Sequence, residues 1–256
     1  MSKRKRFLIT SLILSLGFVG IQFLDNSLRF WAIGLLGLTT LVTFTWSLWE
    51  GLSLNMTLLA LILPTIFTLG VGIFWFLLPA NIFARLPVVI FYGVGIYVLC
   101  LTMNIYTVSA IRTIALFRAA RGVGFVLSLI TFFLVYDTIL SLRTSLPVTL
   151  SLVSLLSLPL YVQGFWSVTL EKEFNKDILI TSSVAALIMG EVTTALYFWP
   201  VTVVVGSLFL TVVVYVILGL GQARLEERFF SQTVREYLIV GLFVFIGMFL
   251  ATHWGG

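Results

Sequence analysis

Apolar stretches long enough to cross a bilayer recur along the chain, separated by short polar segments whose basic residues favour alternate ends. A membrane-spanning helix needs about 20 mostly apolar residues, because the hydrocarbon core is roughly 30 Å thick and each helical residue rises about 1.5 Å. The pattern predicts nine spans, at residues 7–23, 29–49, 54–79, 88–106, 123–142, 147–168, 178–199, 201–221 and 237–253. The fold class that follows is all-α: a polytopic helical membrane protein of about nine transmembrane helices, N-terminus inside and C-terminus outside. No segment between spans is long enough for an extramembrane domain, so residues 1–256 read as a single integral membrane domain.

Loop charge sets the orientation. The N-terminus and the even-numbered loops hold Lys3, Arg4, Lys5, Arg6, Arg112, Arg118, Arg121, Lys172, Lys176, Arg224, Arg228 and Arg235, whereas the odd-numbered loops hold Arg29, Arg85 and Arg143. Twelve against three accounts for all fifteen Lys and Arg and is what the positive-inside rule demands. Tryptophan agrees: Trp31, Trp75, Trp199 and Trp254 fall at outer ends, and Trp46, Trp49 and Trp166 at inner ends, the headgroup level that amphipathic rings prefer. The basic start followed by an apolar run resembles a signal peptide. That run continues to Phe23 without a small-x-small cleavage site, so an uncleaved first span is expected.

Within the spans, Pro64 and Pro159 are expected to kink their helices, because proline removes a backbone donor and clashes with the preceding turn. Pro200 is expected in the first turn of the eighth helix, where its missing donor costs little. Two cytoplasmic segments read as interfacial helices. Near 108–121, Ile111, Ala115 and Leu116 alternate with lipid-facing Arg112, Arg118 and Arg121; near 223–236, Leu225, Phe229, Phe230 and Val234 oppose Arg224, Glu227, Arg228 and Glu236. The arginines would attract anionic lipid at the cytoplasmic face.

Ionisable side chains inside hydrocarbon are costly, so each is a candidate site. Glu191 lies eight residues before Trp199, about 12 Å below the outer interface, and Asp137 six residues before Arg143, about 9 Å below it. Arg29, Arg85 and Arg143 are the outer-face cations that would partner them in a shared polar cavity. Asp137 cannot use its own Arg143, because a six-residue offset misses the i+3 and i+4 positions where helical neighbours meet. Its partner must come from another helix, or the group stays protonated. Glu191 borders a seam of Ser183, Ala186, Gly190 and Thr193 suited to close helix approach. Asn104 and Gln163 read as helix–helix hydrogen bonders.

Composition narrows the chemistry. The chain is 60% hydrophobic and 10% charged, against about 25% charged in soluble domains. Its +5 net charge sits at loop ends, a membrane-orientation pattern that argues against nucleic-acid binding. One histidine, His253, and one cysteine, Cys100, cannot build a two-histidine metal or haem site or a thiolate cluster, and no cofactor is implied. There is no G-x-S-x-G elbow. Glu226-Glu227 is similar to the paired glutamates of intramembrane prenyl-protein proteases, but the intramembrane histidines those enzymes need are lacking. Gly70-Val71-Gly72, Gly93-Val94-Gly95 and Gly122-Val123-Gly124 lack a strand–helix phosphate-loop context and read as packing or turn glycines.

With Tyr197-Phe198-Trp199-Pro200, and with Arg224-Leu225-Glu226 leading into Arg235-Glu236-Tyr237, the chain resembles uncharacterised bacterial polytopic membrane proteins of the domain-of-unknown-function type. That resemblance implies a bacterial inner membrane and imports no activity. The sequence favours a non-enzymatic accessory or scaffold subunit that meets a protein partner in the membrane. The alternatives are a small-solute or proton-coupled transporter using Glu191 and Asp137, and then a lipid-modifying enzyme.

Overall fold

The computed structural model describes residues 2–49, 54–78, 82–110, 115–171 and 175–252. Among them the chain forms nine helices and no strand: α1 (Lys3–Ile21), α2 (Asn26–Leu48), α3 (Leu54–Leu77), α4 (Ile82–Ser109), α5 (Phe117–Ser141), α6 (Leu146–Thr169), α7 (Lys176–Tyr197), α8 (Val203–Leu225) and α9 (Ser231–Leu250). Eight of them, α2 to α9, contain a stretch long and apolar enough to cross a membrane. The ninth falls short. Residues 3–6 of α1 are Lys-Arg-Lys-Arg, and the apolar remainder, Phe7–Ile21, rises only about 22 Å. The helices gather into two compact units, residues 1–127 with 170–173, and residues 128–169 with 174–256.

In the first unit, α1 packs on α2 and α4, α2 on α3, and α3 on α4. Hydroxyls bond these helices where backbones come close. Thr10 Oγ1 and Ser47 Oγ are 2.6 Å apart, and Ser11 Oγ donates to the Gly93 carbonyl at 2.7 Å. Glycine at 93 is what lets α1 approach, since a Cβ there would lie 2.7 Å from Ser15 Oγ. Deeper, Tyr92 OH and Thr40 Oγ1 both donate to Thr68 Oγ1, which in turn donates to the Pro64 carbonyl at 2.9 Å. An aromatic cluster of Phe18, Phe67, Trp75 and Tyr92 surrounds that network.

In the second unit, α6 and α7 pack along a line of small residues: Ser182, Ala185, Ala186, Gly190 and Thr193 are buried. The seam expected to allow close helix approach is therefore used inside the unit, except for exposed Ser183. A column of Phe132, Tyr136, Tyr161 and Phe165 joins α5 to α6, with Tyr136 OH 2.8 Å from Ser157 Oγ. Against α6, Gln222 Nε2 of α8 donates to the Gly164 carbonyl at 2.9 Å. The last helix, α9, packs on α8 through Tyr215–Tyr237 and Phe209–Phe245 ring contacts, and Trp199 Nε1 donates to Thr252 Oγ1 at 2.8 Å. Only 6% of its apolar window is buried.

Several sequence expectations need correction. A continuous interfacial helix over 223–236 is not formed. α8 runs on to Leu225 and closes with Arg228 N–H donating to the Ala223 carbonyl, while Glu227 takes the left-handed conformation (φ 60°) that ends a helix. After five intervening residues α9 begins at Ser231, so Val234, Arg235 and Glu236 lie in its first turns. In 108–121, residues 108–109 end α4 and 117–121 begin α5; Arg112 lies outside the described residues, as do His253 and Trp254. α4 begins at Ile82 and not at 88, with Pro87 inside it, and Pro200 precedes the Thr202 cap of α8 instead of entering its first turn. Trp31, Trp46 and Trp49 are exposed as headgroup-level rings would be, whereas Trp166 is fully buried in the core.

Candidate intramembrane polar site

Asp137 lies near the end of α5, in the stretch that belongs to the second unit, with its side chain buried. Its hydrogen-bond partner is on another helix: Ser207 Oγ of α8 donates to Asp137 Oδ1 at 3.0 Å. The same hydroxyl is 3.0 Å from the Val204 carbonyl, one turn earlier in α8. Gly206, beside Ser207, is buried with Leu140 and Leu196 side chains close to where a Cβ would sit. The small surface of Gly206-Ser207 thus brings α8 near enough to α5 for a short serine to reach the acid. Ser207 was not singled out in the sequence; its one signal is a polar residue beside glycine in an otherwise apolar run.

Glu191 is placed differently. It follows Gly190 on α7, and a step of one residue turns about 100° around the helix. Gly190 therefore faces α6, while Glu191 stands on the exposed face with Ile180, Val184, Leu187 and Ile188. Among the described residues nothing donates to its carboxyl. The two candidate carboxyls are not brought together: one is enclosed with Ser207, the other faces outward.

The expected outer-face partners have other contacts. Arg29 closes the α1–α2 turn, donating from Nε to the Leu24 carbonyl at 2.8 Å and from an Nη to that of Gln22 at 3.0 Å. Arg85 lies over the Trp75 ring, 5.2 Å from its centroid, a cation–π arrangement. Arg143 is exposed and left-handed (φ 47°), ending α5. Of the basic residues expected to face lipid, Arg118 is exposed, and the Arg121 guanidinium sits 5.7 Å from the Phe117 ring centroid. Gln163 is buried, and its Oε1 finds no partner among the described residues, so the expected interhelical bond through that atom is not formed there. The second glycine of each pair is a packing position: a Cβ at Gly72 would meet Ile33, at Gly95 Phe67, and at Gly124 the Tyr106 hydroxyl, whereas one at Gly122 would meet open space.

Eight long apolar helices, polar contacts held between helices and an outer surface rich in exposed Leu, Ile, Val and Phe define a multi-pass helical membrane protein. The chain belongs to the family described as protein of unknown function DUF5656, which matches residues 43–251 and so runs through both units. No curated protein and no solved structure matches it.

Proposed function

We propose that the protein is a non-enzymatic accessory or scaffold subunit that docks a second membrane protein through the outward face of α7. The observation that supports this is the exposed position of Glu191. On insertion scales a charged side chain at the centre of a span costs about 2.5–3.5 kcal/mol, and such residues face protein or water far more often than lipid. Glu191 is sixteenth of the 22 residues of α7, about 7 Å from the helix midpoint. A partner helix offering a donor at that depth satisfies the carboxyl and covers the Ile180, Val184, Leu187 and Ile188 stripe. The separation of Glu191 from Asp137 weighs against the transporter reading, which needs both carboxyls on one path.

The test is a photocrosslinker at Leu187 in cells, combined with complementation of a deletion strain. Glu191→Leu, at an exposed site, should leave the thermal midpoint in detergent unchanged or higher, yet abolish the crosslinked product and complementation. Glu191→Gln, which keeps hydrogen-bonding capacity, should retain most of both. A crosslink that survives Glu191→Leu sinks the docking role. Loss of solute uptake in proteoliposomes with both Asp137→Asn and Glu191→Gln would replace it with transport.

For orientation, we propose a prokaryotic cytoplasmic membrane with the N-terminus inside and the C-terminus outside. The twelve-to-three distribution of Lys and Arg supports it, although α1 is short for a full crossing. Lys3 to Arg6 can reach the headgroups from a shallow helix by extending their side chains. A reporter active only outside the cytoplasm, fused after Gly256, should signal, and a cytoplasmic one should stay dark. The reverse result would mean that α1 does not cross.

A further inference from the structure

Six residues of α9, Ser231, Val234, Arg235, Leu238, Ile239 and Leu242, line a shallow groove of about 320 Å³. They recur every three or four positions and form one stripe, set apart from the Tyr237, Gly241 and Phe245 row that meets α8. We propose that this groove binds one anionic phospholipid, its phosphate at Arg235 and an acyl chain along Leu238, Ile239 and Leu242.

Length supports this reading first. Arg235 is the fifth residue of α9, and Leu242 lies about 10 Å further along the helix, within the roughly 15 Å half-thickness that an acyl chain occupies. Side-chain type is the second argument. Helices pack in membranes through small residues, yet from Val234 to Leu242 this groove is walled only by Val, Arg, Leu and Ile. The small residue nearby, Gly241, is turned to Val216 of α8. Such a bulky, irregular surface suits a flexible chain better than a second helix.

Charge is the third. Arg235 is exposed, and no carboxylate pairs with it among the described residues. Its acidic neighbours are engaged elsewhere: Glu236 Oε1 accepts from Gln232 Nε2 at 3.0 Å, and Glu226 lies 3.6 Å from Arg228. The first turn of α9 also begins without a side-chain cap at Phe230, leaving backbone N–H groups and the Ser231 hydroxyl beside Arg235 as further phosphate donors.

The experiment uses the full chain in phosphatidylcholine vesicles, with Cys100→Ser and a fluorophore on Leu242→Cys. Brominated phosphatidylglycerol or brominated phosphatidylcholine is added at equal mole fraction as quencher. Phosphatidylglycerol should quench about fivefold more effectively, the preference expected of one arginine near an anionic headgroup. Arg235→Gln should bring the two lipids level, Arg235→Lys should keep most of the preference, and Arg118→Gln should leave it intact. Equal quenching by both lipids, or a preference that survives Arg235→Gln, overturns the proposal. Protection of the label from both lipids also overturns it, by showing a protein helix on this face.

Discussion

Ser207→Val is expected to destabilise the second unit markedly, because it removes the one hydroxyl that, among the described residues, bonds buried Asp137. Leaving a buried polar group unsatisfied costs about 1–3 kcal/mol, whereas replacing both partners with apolar groups of similar shape is close to neutral. The thermal midpoint in detergent should therefore fall for Ser207→Val and recover in Asp137→Leu/Ser207→Val. Asp137→Asn alone should cost little, since its amide oxygen still accepts from Ser207. Interhelical hydrogen bonds inside membranes average only about 0.6 kcal/mol, so a loss of that size would mark an ordinary contact and a larger one a stranded acid. If the double variant is less stable than Ser207→Val, the pair is not the unit that matters.

Gly219→Leu is expected to release α9 from α8. A Cβ at Gly219 would run into the Tyr237 ring, which itself packs on Tyr215 with centroids 4.9 Å apart. Overpacking of this kind costs about 1–3 kcal/mol or more, and against it α9 has the Phe209–Phe245 contact and the Trp199–Thr252 hydrogen bond, with Met248 its one buried residue. Disulfide trapping gives the readout. In a Cys100→Ser background, cysteines at Val216 and Gly241 should crosslink, because a Cβ at Gly241 lies 3.2 Å from Val216 Cγ2. The same pair should fail to crosslink with Gly219→Leu. Efficient crosslinking in that variant would show that Tyr237 moves aside at low cost.

Helix positions were readable from hydropathy because bilayer thickness dictates how long an apolar run must be. Where the spans begin later than the helices, at 88 and 237, a proline or a charged pair interrupts the apolar run without interrupting the helix. Arg235 and Glu236 lie inside the first turns of α9, where charged side chains can extend to headgroups while their backbone stays helical. Pro87 sits six residues into α4. The 223–236 stripe had helical spacing, but periodicity carries no information about Glu227, whose left-handed turn depends on the closing bonds of α8.

The candidate site was legible only in part. That Asp137 cannot pair with Arg143 of its own helix follows from helical geometry, but which helix comes near it is a matter of tertiary packing. Ser207 was hidden among serines and threonines that bond the carbonyl four residues back, as Thr211 and Thr193 do. Glu191 borders the Gly190 seam in sequence, and a turn of one residue separates buried from exposed. Only the placement of α6 decides which side of that line the carboxyl occupies.

The bonds of α1 also impose an order on synthesis. Ser11 reaches the Gly93 carbonyl across 82 residues, so α1 cannot complete its packing until α4 has been made. At about 5–20 residues per second, that is a wait of roughly 4–16 s. Until then, the helix least able to hold itself in hydrocarbon has α2, through Thr10 and Ser47, and then α3, through the Phe18–Trp75 ring contact, for company. A nascent chain stalled after α3 would expose the face of α1 that α4 later covers, and this is the stage at which membrane quality control would meet an unfinished molecule.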